Sequence, residues 1–420
     1  MTTNRSRRRF LGALGLFGAA GASAGLLPWH WPDGGFINPC LKEPLPDELT
    51  KHDLWHAAWQ DIDPAQMWDC HVHAVGTGDS GSGIWVTPQM QSAWAPIKYL
   101  QYRFYLNASC VPPEGEVDVH VMKQLLRLLD AFPPGAKVML LAFDHHYTSD
   151  GAKSLERSTF HVPNEYVRNL ARDFPARFEW IASVHPYRKD CVDVLRWAAE
   201  NGARAVKWLP PAMGMDPGSP KCDNFYAAMV KHRLPLLTHA GDEHAVEGVE
   251  FQALGNPLLL RRALDHGVRV IVAHCATQGD NIDLDNGANG PRVANFELFS
   301  RLMDEPRYEG SLFGEISATT QINRIKQGLA RIIERQDWHS RLLNGSDYPL
   351  PGVMPLFNMT SLVAAGLLDK ANADYCRRLR PHNTLMADFV VKRLLRVGNA
   401  RFAPGVFMTR DFFLALPDAE

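Results

Sequence analysis

Two periods take turns along most of this chain. Apolar runs of five to seven residues, the length of strands, recur at Met67–His73, Lys137–Phe143, Phe178–Val184, Arg204–Leu209, Leu234–Thr238, Val268–Ala273, Gly310–Ile316 and Ser340–Asn344. Between them apolar residues return every three or four positions, the period of an amphipathic helix, over Val121–Phe132, Glu165–Phe174, Cys191–Asn201, Cys222–Lys231, Pro257–His266, Ala294–Met303 and Ile322–Arg335. Eight strands separated by helices predict an α/β fold, a (β/α)8 TIM barrel rather than two smaller sheets. Two further helices are predicted at Met359–Leu367 and Ala373–Leu395, followed by a tail.

The pattern breaks in two places. Residues from Pro28 to Pro64 are rich in Pro and Trp without periodicity, as in an arm laid on the surface before the first strand. A long insertion from Ala74 to Val117 begins with Gly and Ser and turns aromatic at Trp85, Trp94, Tyr99, Tyr102, Phe104 and Tyr105. Long aromatic loops usually cover a site, so a lid or substrate wall is expected. The implied organisation is a signal segment at 1–24, an arm at 25–64, a barrel at 65–370, and a C-terminal helix and tail at 371–420.

Composition narrows the class. With 46% hydrophobic and 21% charged residues, the 420-residue chain reads as soluble and globular with a large core. A formal net charge of -2, and no basic stripe interleaved with aromatics beyond the first ten residues, leave no case for a nucleic-acid partner. The seven cysteines are scattered without Cys-x-x-Cys spacing, which argues against a zinc ribbon and leaves room for one disulfide whose partners stay open.

The first residues differ from the rest. Arg5, Arg7, Arg8 and Arg9 precede an uncharged run from Phe10 to Leu27, and Ala22-Ser23-Ala24 offers small residues for cleavage. Ser6-Arg7-Arg8-Arg9-Phe10-Leu11 resembles the bacterial twin-arginine export signal, with Gly12 where that signal often carries Lys. The resemblance implies the twin-arginine export machinery as a partner and a periplasmic location. The run is weakly apolar for a permanent membrane span, so cleavage is expected. Loss of residues 1–24 would remove four Arg and leave a mature charge of -6.

In such a barrel, chemistry is done where strands end and loops begin. The first run closes on His71-Val72-His73, and alternation points both imidazoles the same way, so that they can share a metal ion. The fourth run carries Lys207, the fifth reaches His239, the sixth His274, and the eighth Asn344-Gly345-Ser346-Asp347. Singly, each histidine could be a hydrogen-bonded core residue and Lys207 an ion-pair partner. Five strands ending at one level in groups able to bind a metal, Lys207 only if modified, make a metal centre the better reading. A carboxylate at its edge, Asp347, can carry a proton from water to a leaving group. An unmodified Lys207 beside a metal would be a cation beside a cation, so it is either carboxylated or turned to a substrate anion. His145, His185 and Arg188, after the second and third runs, are candidates for substrate contacts, as is Glu315-Ile316-Ser317 after the seventh. Asp242-Glu243-His244 could orient His239. No Gly-x-Ser-x-Gly elbow or phosphate loop is present, and alternation turns Cys70 and Cys275 away from the barrel axis.

Asp69-Cys70-His71-Val72-His73, Thr238-His239-Ala240-Gly241 and Asn344-Gly345-Ser346-Asp347-Tyr348-Pro349 resemble the amidohydrolase superfamily of metal-dependent barrels, in its branch of hydratases, lactonases and decarboxylases, over about residues 65–370. The resemblance implies that His71, His73, Asp347 and His239 hold one divalent ion. In members with two ions His274 and a carboxylated Lys207 complete the set, so one or two ions per chain are expected. Zinc is the first choice, although imidazole and carboxylate suit Mn, Fe and Co as well. Asp347, His274 and Lys207 are then the expected catalytic residues. The expected activity is hydrolysis of an ester, lactone, amide or related bond of a small molecule by metal hydroxide. The alternatives are non-oxidative decarboxylation on the same barrel and a binding protein without turnover. A homo-oligomer follows only from the habit of the branch.

Overall fold

The computed structural model describes residues 35–414 except 113, 244, 245, 247 and 248. The predicted signal segment therefore lies outside the described residues, and so does His244. Among the described residues no helix is long and apolar enough to cross a membrane.

All eight predicted strands form: β1 Trp68–His73, β2 Lys137–Leu141, β3 Phe178–Ile181, β4 Val206–Trp208, β5 Leu236–His239, β6 Val270–Ala273, β7 Leu312–Glu315 and β8 Leu342–Leu343. Each pairs in parallel with the next in chain order, the step from β3 to β4 being a bridge between Ala182 and Val206. The ring closes where the N–H of Cys70 donates to the Asn344 carbonyl at 3.1 Å and that of Asp347 to the His71 carbonyl at 2.8 Å. Val-, Ile- and Leu-rich strands such as Val270-Ile271-Val272-Ala273 are buried throughout, as parallel strands sandwiched between an interior and a helical layer must be.

The interior is a packed core, built from Cys70, Met139, Ile181, Leu237 and Ile271 among others. Cys70 was expected to face outward, and the structure corrects this. Between Asp69 and Val72, β1 advances three residues while β2 advances two, from Val138 to Leu140. The extra residue is a bulge, which lets Cys70 and His71 both face inward. Cys275 packs in the outer layer between strands and helices, as alternation implies.

The insertion is structured. It contains the helix α1 Pro96–Ala108, and α2 follows at Val117–Leu129. A disulfide joins Cys40 of the N-terminal arm to Cys110 just beyond α1. Two predicted helices are shorter than their periodicity suggests. The stretch read as Ile322–Arg335 is helical only at Ala330–Glu334 after a π-type segment at Ile325–Leu329, and residues 317–324 are turns. Ala373–Leu395 divides into helices at Lys370–Leu379 and Thr384–Leu394, because Pro381 interrupts the backbone ladder and the Asn383 side chain accepts from the N–H of Met386 to start the second. At the end of the chain, Phe413 enters the barrel interior from the side opposite the strands' C-terminal ends.

Candidate metal centre

The C-terminal ends of the strands converge on the floor of a cavity of about 330 Å3. His71 and His73 rise from β1 and meet Asp347 from the loop after β8: the Asp347 Oδ1 lies 3.4 Å from His71 Nε2 and 3.1 Å from His73 Nε2. His274, after β6, stacks on His71 with ring centroids 5.2 Å apart, and its Nε2 is 3.8 Å from Asp347 Oδ2. Lys207 of β4 reaches up to place Nζ 3.2 Å from His71 Nε2. All of these side chains are buried except His73, which keeps 19% of its side-chain surface.

The backbone is bent to present them. His274 and Asp347 both have left-handed backbones, with φ of 56° and 61°. Such conformations cost about 1–2 kcal/mol for a non-glycine residue and persist only where the surroundings hold them, often at functional sites.

Glu315, at the end of β7 and fully buried, fixes the orientation of the imidazoles. Its Oε2 takes a hydrogen bond from His71 Nδ1 at 3.1 Å and from Ser317 Oγ at 2.7 Å. His71 Nε2 is thereby the nitrogen left to face Asp347. His274 Nδ1 is held in the same way by the Ser317 carbonyl at 3.0 Å. This is the arrangement in which a carboxylate or carbonyl behind a histidine sets its tautomer for metal binding.

Burial lowers the pKa of His71, with the Lys207 charge adding to it, and burial followed by the Arg324 charge lowers those of His239 and His274 well below the usual value. Each of these imidazoles gives up its proton more readily than usual, which favours an open lone pair. Burial raises the Asp347 carboxyl, but His71, His274 and His73 around it outweigh burial and hold it well below the ordinary range. Burial also lowers the pKa of Lys207.

The donor set fits a divalent cation. One ligand atom each from His71, His73 and Asp347 lie within 4.8 Å of one another, and so do those of His71, His274 and Glu315. Two donors sharing one ion at about 2.1 Å stand about 3–4 Å apart, the separation seen around Asp347 Oδ1. Neutral imidazoles with an ionised carboxylate are the ligand chemistry of Zn, Mn, Fe or Co.

The family model for amidohydrolases matches residues 131–355, more than half of the sequence. This chain belongs to the amidohydrolase family. It is accordingly a metal-dependent enzyme on a TIM barrel. A search of curated proteins returns no match. Among solved structures it is similar to an uncharacterized TIM-barrel protein of Bordetella bronchiseptica, at 16% identity and a TM-score of 0.44 over 77% of this chain and 99% of the other. A probable 2-pyrone-4,6-dicarboxylic acid hydrolase of Acinetobacter baumannii, with citric acid bound, matches at 15% identity and 0.42 over 77% and 99%. The 5-carboxyvanillate decarboxylase of Novosphingobium aromaticivorans, complexed with manganese and a nitrobenzoic acid, matches at 14% identity and 0.43 over 84% and 98%.

For this amidohydrolase the structure brings His71, His73, Lys207, His274 and Asp347 together. His239 lines the same cavity beside His274, with ring centroids 5.4 Å apart, but its nitrogens face other groups: Nε2 the Asp242 carbonyl at 3.3 Å and Nδ1 the Glu243 carboxylate at 3.6 Å. Among the described residues it joins no group of three clustered ligands.

His145, His185 and Arg188, expected at the substrate, do not line this cavity, and the reason is local satisfaction. The His145 ring stacks on His161 at 4.1 Å with Nδ1 on Ser158 Oγ at 3.2 Å. His185 is bonded through both nitrogens to backbone. Arg188 forks between Asp144 at 3.0 Å and Asp190 at 2.8 Å. The Asp144 carboxylate also accepts the N–H groups of His145 and His185, so this polar set supports the second and third loops.

Two groups of the site escape sequence reasoning. Glu315, a candidate substrate contact by sequence, instead holds His71; its place at the end of a barrel strand is the signal for it. Arg324 lines the cavity but sits in a stretch whose period reads as a helix surface. The wall is supplied by the insertion, where Ile84, Val86, Met90, Leu100, Phe104 and Tyr105 face the cavity. Trp94, by contrast, is 96% exposed and takes no part in it.

Proposed function

We propose that this amidohydrolase hydrolyses a carbon–heteroatom bond, an ester, lactone or amide, in a small molecule with an apolar body. The observation that carries the reading is the placement of the Asp347 carboxylate, whose Oδ1 meets both His71 and His73 while Oδ2 faces His274. A divalent ion held by His71, His73 and Asp347, with His239 and His274 at hand, would supply Lewis acidity toward a carbonyl oxygen and bring the pKa of water to about 7. Asp347 takes a proton from the attacking water and returns it to the oxygen or nitrogen that leaves as the acyl bond breaks. Glu315 and Ser317 keep His71 and His274 in the required tautomers. The apolar wall excludes bulk water and accepts the body of the substrate. Zinc is the favoured ion. A second ion would require Lys207 to be carboxylated, because an ammonium 3.2 Å from His71 Nε2 repels a cation there.

Decarboxylation is the second reading, favoured by two cations, Lys207 and Arg324, among the cavity-lining residues. The test is turnover in H2(18)O by protein of measured metal content, on ester, lactone, amide and hydroxyarene-carboxylate panels. One labelled oxygen in the acid product, lost by at least about a hundredfold in rate in Asp347→Asn, supports hydrolysis. Release of carbon dioxide with no labelled oxygen in the arene product supports the second reading, and no turnover at full metal occupancy overturns both.

Export through the twin-arginine route to the periplasm is proposed as well. The Cys40–Cys110 disulfide supports it, since such bonds persist in oxidising compartments. Fractionation of cells expressing the full chain and an Arg7→Lys, Arg8→Lys, Arg9→Lys variant tests it: periplasmic protein from the first alone is expected, and cytoplasmic protein from both would overturn it.

A further inference from the structure

Arg324 is 6% exposed and lines the cavity. Among the described residues it forms no ion pair, and its Nε and Nη1 are buried without a hydrogen-bond partner. Leaving a buried polar group without a partner is costly, and leaving a charged one so is costlier still. Arginine cannot escape that cost by losing its proton. The backbone that carries it is held: its N–H donates to the Gln321 carbonyl at 2.8 Å, and that of Ile322 to the Leu356 carbonyl at 2.9 Å, which ties the turn after β7 to the segment beyond β8.

The carboxylates that bear on Arg324 electrostatically are Glu243, Asp347, Glu315 and Asp242, and each of those with a described bond is engaged elsewhere. Glu315 is taken by His71 and Ser317, Asp347 by His73, and Glu243 by the Val246 N–H and His239. After burial, the Arg324 charge is the largest influence on both His239 and His274, so a group bound to it stands within electrostatic reach of the metal cluster. The apolar wall of the insertion and Phe160 line the same cavity.

We propose that Arg324 binds a spectator carboxylate of the substrate, one that does not react, and so selects aryl or short alkyl carboxylates carrying the scissile bond elsewhere. This rests on the reading of the cavity as the substrate site. It assigns the anion to the guanidinium and keeps it off the ion. A planar carboxylate matches the guanidinium fork and supplies the acceptors that the fold withholds. The apolar body fills the wall, and the scissile group is then directed to Asp347.

Calorimetric titration tests this with benzoate and benzamide, a charged and a neutral probe of one shape. The proteins are the metal-loaded full chain, its Arg324→Gln and Arg324→Lys variants, and the chelated wild type. Benzoate should bind at least about tenfold tighter than benzamide to wild type, with the difference abolished in Arg324→Gln and partly kept in Arg324→Lys. Chelation should change benzoate affinity by less than about twofold. Equal affinities for the two probes, absence of benzoate binding, or benzoate binding that survives Arg324→Gln but is lost on chelation would each overturn the proposal, the last by placing the carboxylate on the ion. The readout is binding affinity and needs no turnover of either probe. Failure of the hydrolase reading in labelled water therefore leaves this result standing, and the converse holds as well.

Discussion

The imidazole of His185 donates from Nε2 to the Met213 carbonyl at 3.0 Å and accepts at Nδ1 from the Tyr187 N–H at 3.1 Å. A second proton would sit at Nδ1 against that N–H, and burial pushes the pKa down to about 4. The consequence for stability has a definite sign. Below the ordinary value of about 6.5 the unfolded chain takes up a proton that the folded chain refuses until about 4, so stability is lost as pH falls through this window and no further below it. At 1.4 kcal/mol per unit the full loss is about 3 kcal/mol. Urea unfolding between pH 7 and 4.5 should show His185→Gln less stable at pH 7 by about 1–2 kcal/mol for its altered hydrogen bonds, yet with a visibly shallower decline toward acid. Parallel declines in the two proteins would place the acid sensitivity elsewhere, His145 being the next candidate, with its pKa also lowered to about 4 by burial and the neighbouring His161. His185 also shows why polar residues at strand ends were ambiguous in the sequence. A histidine in that position can face a substrate or close a backbone gap, and which one is decided by partners such as Met213 and Tyr187 that local pattern does not reveal.

Among elements, the strands were legible because a buried strand of a closed barrel is apolar on both faces and ends abruptly in polar residues, as β6 does at His274. The pair on β1 was legible for its alternation, and the bulge that turns Cys70 inward was not, since an extra residue leaves no mark on composition. Arg324 was hidden by periodicity: Ile322, Ile325, Leu329 and Ile332 keep a helical spacing although only Ala330–Glu334 is α-helix. Gly345 shows how tightly the ends of β8, β7 and β1 meet. A Cβ there would stand 2.5 Å from Glu315 Oε1 and 2.6 Å from the His71 Cβ, below any real contact. Gly345→Ala should cost about 1–3 kcal/mol in urea unfolding and lower metal content by elemental analysis, because the displaced groups are those that hold and orient a ligand. Unchanged metal content would show that the site tolerates a shift of β8.

The Cys40–Cys110 bond acts between elements in another way. It closes a loop of 70 residues that includes α1 and most of the cavity wall, and Asn38 and Asn107 clasp the same junction at 2.8 Å. Chain-entropy arguments assign a closure of this length about 4 kcal/mol, the upper end of what disulfides usually contribute. Cys40→Ser with Cys110→Ser should lose that stability and become more easily cleaved by protease within residues 74–117, whereas reductant should leave the double variant unaffected.

At the scale of the whole molecule the barrel has two different ends. One carries the imidazoles, Asp347 and the cavity; the other is stoppered by the last helix of the chain. Phe413 packs into the interior cluster with Trp68 and Met139, and Phe412 meets Phe313 edge-on at 4.7 Å. The Thr409 hydroxyl donates to the Trp68 carbonyl, tying this stopper to the start of the strand that ends in His71 and His73. The interior between the two ends is filled by side chains, so a hole at the floor is a packing defect remote from the donors. Truncating a buried phenylalanine costs about 3–5 kcal/mol through lost burial and the cavity left behind. Effects at separated sites without shared partners add rather than couple. Phe413→Ala should therefore lower the unfolding free energy from urea titration by that amount while metal content and benzoate affinity, measured in the folded baseline, stay as in wild type. Loss of metal in the folded baseline would mean that strain at the floor travels up β1 from Trp68 to His71, and that the C-terminal helix helps to set the geometry of the donors.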